Sequence, residues 1–229
     1  MTQTRSKLLS LFTSPVGKKL LTGITGLALV VFVSEHMVGN LQFFAGDDAY
    51  NAYAHFLISL GPALWVVEVI LLVFLLMHIG LGINIWIGSR KARSSRYKKR
   101  QSAGEPSRQT MSSRSMLVTG IIIGIFLIIH LASFKYGTYY ETTVDGEVMR
   151  DIARLMRLKF HDPAYAFGYP AVVLLLVVHL RHGIWSAFQS LGAMRPSISG
   201  PAYALGGLFA LGIGIGFLVV PIAIYFDWV

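Results

Sequence analysis

The chain has 229 residues, of which 54% are hydrophobic and only 14% are charged. A soluble domain carries about a quarter charged residues, and the mean hydropathy here is +0.60, so the composition excludes most soluble folds. The chain contains no cysteine, which excludes disulfides, thiolate zinc sites and iron–sulfur clusters within it. The net charge of +9 is explained by membrane topology, and we expect no nucleic-acid partner.

Five long apolar segments predict five transmembrane helices in a single membrane domain, residues 1–229. Each segment is long enough to cross a hydrocarbon core about 30 Å thick, which takes about 20 residues. In hydrocarbon the backbone has to satisfy its own hydrogen bonds, so each span is expected to be helical. The predicted spans are residues 20–38, 63–87, 116–134, 164–191 and 203–226. The sequence therefore predicts an all-α integral membrane bundle embedded in a lipid bilayer.

The distribution of basic residues predicts the orientation of the bundle. The N-terminal tail and the connection 89–115 are both strongly basic, and Glu105 is the single acid in that connection. In the connection after the third span, acidic residues offset the basic ones. The positive-inside rule then places the N-terminus in the cytoplasm and the C-terminus outside. Two further segments, 47–60 and 147–160, are expected to form short helices in the membrane interface.

Five of the seven histidines lie within the predicted spans, where ionisable side chains are costly and mark functional sites. A single intramembrane histidine can instead form a hydrogen bond to a neighbouring helix. At a rise of about 1.5 Å per residue, His36 and His130 lie at similar depth towards the outer face. His78 and His179 lie at similar depth towards the cytoplasm. Each pair therefore comes from two different helices.

This pairing predicts two b-type haems, each held between two imidazoles that bind the iron from opposite sides. An iron with six ligands has no position open for oxygen, so the chemistry would be electron transfer. A zinc or iron cluster fits less well, because the spans lack a Glu-x-x-His spacing and the two histidine pairs differ in depth.

The fourth span offers two candidate ligands three residues apart, His179 and His182. Gly82 follows His78 by four positions and Gly183 follows His179 by four, so each glycine lies one helical turn along the same face. A missing side chain there would admit a flat macrocycle, although small residues also pack helices in membranes. The repeat favours His179.

Three further residues are candidates for contacts with cofactors. Arg181 and His182 are candidates for hydrogen bonds to a haem propionate or a quinone carbonyl. Glu68, in the outer part of the second span, either carries a proton to or from a quinone site or simply pairs with a polar neighbour. His55 and His161, in outer connections, are expected to be ordinary surface residues.

Together these residues resemble the di-haem cytochrome b membrane-anchor subunit of bacterial succinate dehydrogenase and fumarate reductase, the respiratory complex II. The resemblance covers nearly the whole chain. It rests on residues 18–23 (KKLLTG), 36–42 (HMVGNLQ), Glu68, 77–82 (MHIGLG), 129–131 (IHL) and 179–188 (HLRHGIWSAF).

The resemblance implies that His36 and His130 ligate a distal haem and that His78 and His179 ligate a proximal haem. It also implies partners: an iron–sulfur subunit and a flavoprotein subunit on the cytoplasmic face, which oxidise succinate or reduce fumarate. This chain would then lack the dicarboxylate active site and exchange electrons with a membrane quinone, commonly menaquinone, in the bacterial cytoplasmic membrane.

Two alternatives to this interpretation stay open. One is the cytochrome b subunit of another quinone-linked oxidoreductase, in which different spans would supply the ligands. The other is a transporter or proton channel without haem, in which the histidines form a relay. That alternative does not explain why the histidines pair by depth.

Overall fold

The computed structural model describes residues 11–92 and 110–229. In chain order the elements are α1 (Pro15–Leu41), a 3₁₀ turn (Gln42–Ala45), α2 (Asp47–Ser59), α3 (Pro62–Lys91), α4 (Met111–His130), a π-helical turn (Leu131–Lys135), β1 (Glu141–Val144), β2 (Glu147–Arg150), α5 (Ile152–Phe160), α6 (Pro163–Ser190) and α7 (Pro196–Tyr225).

Five helices in the described ranges, namely α1, α3, α4, α6 and α7, are long and apolar enough to cross a membrane. This confirms the predicted all-α architecture with five spans. The orientation of the bundle stays a prediction. Much of the basic tail and basic connection on which it rests, residues 1–10 and 93–109, lies outside the described ranges.

Prolines mark the beginnings of most spanning helices. Proline suits the first helical turn, where its missing N–H would have no acceptor within the helix. The helices that begin in this way start at Pro15, Pro62, Pro163 and Pro196. Helix α4 instead has a reciprocal cap, in which the Thr110 amide donates to Ser113 Oγ at 2.9 Å and the Ser113 amide donates to Thr110 Oγ1 at 3.4 Å.

Each spanning helix begins before the span predicted from hydropathy. The largest difference is at α7, which begins at Pro196 although its predicted span begins at residue 203. Hydropathy marks only the part of a helix that suits hydrocarbon. A helix can continue into the polar interface with no signal of that kind, because its hydrogen bonds stay internal.

A two-stranded antiparallel hairpin lies between α4 and α5. The register places Glu141 opposite Arg150 and Val144 opposite Glu147. Asp145 and Gly146 form the turn with φ of 52° and 85°. A two-residue hairpin turn of this kind requires positive φ at both central positions, and Asp-Gly is a favoured pair for it.

The hairpin corrects one prediction. Residues 147–160 were expected to form a helix throughout, which is right for Ile152–Phe160 and wrong for Glu147–Arg150. Apolar and basic residues alternate over residues 147–160, a pattern that suits a helix, but the Asp145-Gly146 turn before it favours a hairpin. The other short helix, expected over residues 47–60, forms as Asp47–Ser59.

The chain divides into two compact units, and every spanning helix contributes residues to both. Unit 1 consists of the described residues of Met1–Val31, Ile70–Gly120 and Val178–Phe209. Unit 2 consists of Phe32–Val69, Ile121–Val177 and Ala210–Val229.

Unit 2 contains a core in which α2 and α5 pack together. Its buried members are Phe43, Tyr50, Ala153, Met156, Phe160, Val220 and Ile224. Buried Asn51 joins the two helices, because its Nδ2 donates to Asp151 Oδ1 and its Oδ1 accepts from the Ala153 amide, both at 3.0 Å. The guanidinium of Arg157 also binds the carboxylate of Asp47, with a shortest distance of 2.6 Å. These polar contacts fix α5 on α2.

Helix α3 shows why the fold needs a membrane. It has no buried residue, although it is strongly apolar. A helix that is apolar on all sides and exposed would be strongly unfavourable in water. A lipid environment, a cofactor or a partner chain removes that apolar surface from water.

Candidate functional site

The four predicted ligands form two close pairs, one in each unit. In unit 1, the rings of His78 on α3 and His179 on α6 have centroids 6.4 Å apart and planes inclined at 66°. In unit 2, the rings of His36 on α1 and His130 at the end of α4 have centroids 5.7 Å apart and planes inclined at 83°. The structure therefore brings together the same partners that the depth argument paired.

The ring of His78 is oriented by the backbone of α1. Its Nδ1 lies 3.2 Å from the carbonyl oxygen of Thr22. A carbonyl only accepts, so Nδ1 carries the hydrogen and Nε2 keeps its lone pair. Gly26 permits this approach, because a Cβ there would lie 2.9 Å from Cε1 of His78. A neutral imidazole with one nitrogen fixed in this way and the other free is the form that binds a metal.

The ring of His179 is oriented in the same way by α4. Its Nδ1 lies 3.0 Å from Thr119 Oγ1. The Thr119 hydroxyl has backbone acceptors at 3.0 Å and 3.2 Å, the carbonyls of Ser115 and Met116, so its single hydrogen is directed there. Its lone pair then accepts from Nδ1 of His179, which again leaves Nε2 free. A Cβ at Gly120 would lie 3.3 Å from Cε1 of His179.

The His36/His130 pair lies among aromatic side chains. His36 stacks on Phe32 with centroids 5.6 Å apart and contacts Phe217 at 5.8 Å. The rings around His130 belong to Phe126 at 5.9 Å, Phe134 at 5.5 Å and Tyr169 at 6.0 Å. These aromatic side chains give the pair a mainly apolar environment.

Hydrogen bonding orients this second pair less than the first. Nδ2 of Asn40 donates to the carbonyl of His36 at 2.7 Å and lies 3.4 Å from its Nε2. Nδ1 of His130 is buried and has no hydrogen-bond partner among the described residues. The orientation of the His130 ring therefore depends on packing.

The spacing of both pairs fits a haem between the two rings. A metal–imidazole bond is about 2 Å long, so two rings on opposite sides of one iron have centroids about 6 Å apart. The observed separations are 5.7 Å and 6.4 Å. A group of three or more side chains suited to a metal ion is not found within the described ranges, and a haem between two imidazoles does not require one. The donor set and its spacing fit b-type haem.

The structure brings His179, rather than its neighbour His182, to His78. The ring of His182 faces Trp185 at 5.8 Å. Its Nδ1 is buried and has no hydrogen-bond partner in the described part of the chain. Arg181 is exposed and lies over the ring of Tyr203 at 5.0 Å. The roles suggested for Arg181 and His182 towards a propionate or a quinone stay predictions.

Glu68 has both a charged partner and a cavity beside it. It forms an ion pair with Lys135, and the two side chains are 40% and 38% exposed. It also lines a cavity of about 240 Å³ whose wall includes His55, Leu64 and Arg150. The ion pair is the polar neighbour considered in the sequence analysis. The proton-carrying role stays a prediction.

The two histidines in connecting segments both face carboxylates. Nε2 of His55 lies 3.8 Å from Glu147 Oε2. Nε2 of His161 lies 2.9 Å from Asp227 Oδ1, and this hydrogen bond raises the pKa of His161. Both side chains are substantially exposed, 37% and 47%, as expected for surface residues.

Sequence reasoning did not identify the residues that orient the rings, which are Thr22, Gly26, Thr119 and Gly120. A signal was present only for His179, because Thr119 and Gly120 are neighbours in α4. The Thr119 hydroxyl offers an acceptor in hydrocarbon, and the glycine beside it opens space for a ring. For His78 the acceptor is the backbone carbonyl of Thr22, a group that every residue has, so no residue type marked it.

The glycine repeat that favoured His179 has a different structural basis from Gly26 and Gly120. A Cβ at Gly82 would meet nothing within 4 Å, and one at Gly183 would meet only Met116 Cε at 4.0 Å. These two positions border open space instead of contacting the histidines. The argument from these two glycines therefore stays a prediction.

The fold and the paired histidines define a helical multi-pass membrane protein with two candidate metal-ligand pairs. Comparison with known protein families, with curated proteins and with solved structures found no match.

Proposed function

We propose that this chain is the membrane-anchor cytochrome b subunit of a succinate dehydrogenase or fumarate reductase in a bacterial cytoplasmic membrane. It would carry electrons through two b-type haems between a partner iron–sulfur subunit and a membrane quinone, commonly menaquinone. A flavoprotein subunit of the same complex would carry out the dicarboxylate chemistry. The observation that supports the cytochrome is the pair of bis-histidine spacings, whereas the choice of complex rests on the sequence resemblance.

Each ring of the His78/His179 pair has a hydrogen-bond acceptor at Nδ1, as metal-binding histidines almost always do. The Thr22 carbonyl and the Thr119 hydroxyl each accept from Nδ1 of one ring. Such contacts fix the tautomer, hold the ring plane and raise the basicity of the free nitrogen. His78 and His179 would hold a b-type haem in this way, and the haem would supply single-electron transfer.

The His36/His130 pair would hold the second haem among aromatic side chains. The rings of Phe32, Phe126, Phe134, Tyr169 and Phe217 surround the two imidazoles. An apolar shell around a metal site restricts solvent access and so influences its reduction potential. The aromatic packing also restrains the imidazoles where hydrogen bonds do not.

The cavity beside Glu68 is the candidate position for the quinone head group. Its lining is mainly apolar, with Leu57, Leu64 and Ile152 among its members. Reduction of a quinone takes two electrons and two protons, so a carboxylate at the wall is useful as a proton donor or acceptor. Lys135 holds that carboxylate in place through the ion pair.

The test is a reduced-minus-oxidised visible spectrum and a haem-to-chain ratio, measured on full-length chain co-expressed with the proposed partner subunits and ample haem. The wild type is expected to carry two haems per chain. One haem is expected in each of four single alanine variants, at His36, His78, His130 and His179. His182→Ala and the surface control His161→Ala are expected to retain both.

The outcomes separate the alternatives. Reduction of haem on adding succinate to the purified complex, or oxidation of pre-reduced haem on adding fumarate, would support the assignment to complex II. Two haems that respond to neither dicarboxylate would favour another quinone-linked oxidoreductase. A wild-type chain that binds no haem under these conditions would contradict the cytochrome and favour a transporter or channel.

A further inference from the structure

The turn that follows His130 is π-helical. It spans Leu131–Lys135 and is closed by a hydrogen bond of 2.9 Å from the Tyr136 amide to the Leu131 carbonyl. π-helical turns are rare and occur frequently at functional sites. Phe134 lies within this turn, and its ring contacts the ring of His130 with centroids 5.5 Å apart. The position of the turn therefore directly affects the packing of His130.

Arg150, on β2, holds the carbonyl end of the turn. Its guanidinium donates to the carbonyls of Phe134 at 2.8 Å, Lys135 at 3.1 Å, Gly137 at 3.3 Å and Thr138 at 3.4 Å. The last carbonyls of a helix have no donor within the helix and carry partial negative charge. A guanidinium supplies several donors in one plane together with the opposite charge.

Two other contacts attach the turn at its sides. Ser133 Oγ lies 3.0 Å from the hydroxyl of Tyr165, and Lys135 pairs with Glu68. Each of these contacts holds one side chain. Arg150 is different, because it holds the backbone of the turn at several points.

We propose that Arg150 is a positioning residue for His130. By holding the carbonyls of the π-helical turn, it keeps the Phe134 ring against the imidazole and so sets the plane of that imidazole. The inference rests on the proposed function, in which this imidazole is an axial ligand of one haem.

The contrast between the two pairs supports this role. Each ring of the His78/His179 pair donates to a threonine oxygen, 3.2 Å and 3.0 Å away. Within the described residues, Nδ1 of His130 has no such acceptor. Packing therefore has to orient this ring, and the π-helical turn supplies part of that packing.

The experiment compares Arg150→Gln with the matched control Arg154→Gln. Arg154 is an exposed arginine four residues further along the chain, and its guanidinium lies over Tyr140 at 4.6 Å. Redox titration and electron paramagnetic resonance of the oxidised haems are recorded on the full chain in membranes. The resonance of a ferric haem with two imidazoles depends on the angle between their planes, so it reports ring orientation directly.

Arg150→Gln is expected to shift the midpoint potential and the resonance of one haem, the same one that is lost in His130→Ala. The other haem is expected to coincide with the wild type, and Arg154→Gln is expected to change neither. Phe134→Leu, which removes the ring that contacts His130, is expected to shift the same haem. Phe134→Leu therefore tests the same contact with His130 if the Arg150→Gln chain does not accumulate in membranes.

Hydrogen–deuterium exchange on haem-free chain tests the attachment of the turn separately. Amides of residues 131–138 are expected to exchange at least about tenfold faster in Arg150→Gln, as for loss of a hydrogen bond to a charged group. Faster exchange in Arg154→Gln to the same extent would contradict the role of Arg150.

Two results would contradict the role of Arg150 while leaving the proposed function intact. One is a wild-type chain with two haems whose spectra and potentials are unchanged by Arg150→Gln and Phe134→Leu, even if the unfolding temperature falls. The other is an equal change at both haems. A wild-type chain without haem overturns the proposed function and this inference with it.

Discussion

Gly26→Ala tests how closely the His78 ring packs against α1. The added Cβ would lie 2.9 Å from Cε1 and 3.2 Å from Nδ1 of the ring, whereas ordinary contact begins at 3.4 Å. The ring therefore has to move by roughly 0.5 Å, the difference between 3.4 Å and 2.9 Å. A movement away from α1 would lengthen the 3.2 Å contact with the Thr22 carbonyl to about 3.7 Å, beyond hydrogen-bond range.

The free energy of this change has three contributions. Overpacking costs about 1–3 kcal/mol, and loss of the hydrogen bond costs about 0.5–1.5 kcal/mol. Alanine is favoured over glycine within a helix by about 1 kcal/mol. The net expectation is a loss of about 2 kcal/mol in the free energy of unfolding, which corresponds to a fall of about 4–8 °C in Tm for a chain of this size.

The assay is thermal unfolding of the detergent-solubilised chain, together with the haem-to-chain ratio. Gly120→Ala is a graded comparison, because its Cβ would lie 3.3 Å from His179 and requires a smaller adjustment. Gly88→Ala is the matched control, since its Cβ would meet nothing within 4 Å. A Gly26→Ala chain that unfolds at the same temperature as Gly88→Ala, with both haems intact, would refute the close approach of ring and helix.

Two further predictions concern hydrogen bonds. Thr119→Val leaves Nδ1 of His179 without an acceptor, which is expected to destabilise the chain by about 1–3 kcal/mol and to weaken binding of one haem, measured by unfolding and haem retention. Thr119→Ser is the control that keeps the hydroxyl, and an equal loss in both variants would refute the role of that hydroxyl. The hydrogen bond to Asp227 raises the pKa of His161, so its contribution to stability is fully present below the unfolded pKa of about 6.5 and is lost as pH rises through the folded pKa. Tm measured at about pH 5.5 and about pH 8.5 is expected to show a small decrease that Asp227→Asn abolishes, and a decrease that persists in the variant would contradict this assignment.

The sequence was sufficient to predict the membrane architecture. Long apolar runs specify spanning helices because no other backbone arrangement within a span satisfies its own hydrogen bonds in hydrocarbon. The ends of the helices were less accessible to this argument, as α7 shows by beginning at Pro196. Proline and threonine caps mark these ends, and hydropathy does not register them.

The hairpin shows where local patterns compete. An alternation of apolar and basic residues favoured a helix over residues 147–160, and Asp145-Gly146 favoured a turn. The turn forms, because both residues adopt the positive φ that a two-residue hairpin needs. With the hairpin in place, Arg150 reaches the carbonyls after His130, a contact that no sequence spacing suggested.

By itself, the sequence determined that five helices span a membrane and which histidines share a depth along them. Depth is readable because an α-helix has a fixed rise per residue. Only the tertiary structure decided that His78 meets His179 and that the Thr22 and Thr119 oxygens accept from their rings. Those contacts depend on how each helix is rotated about its own axis, which is set by packing between residues far apart in the chain.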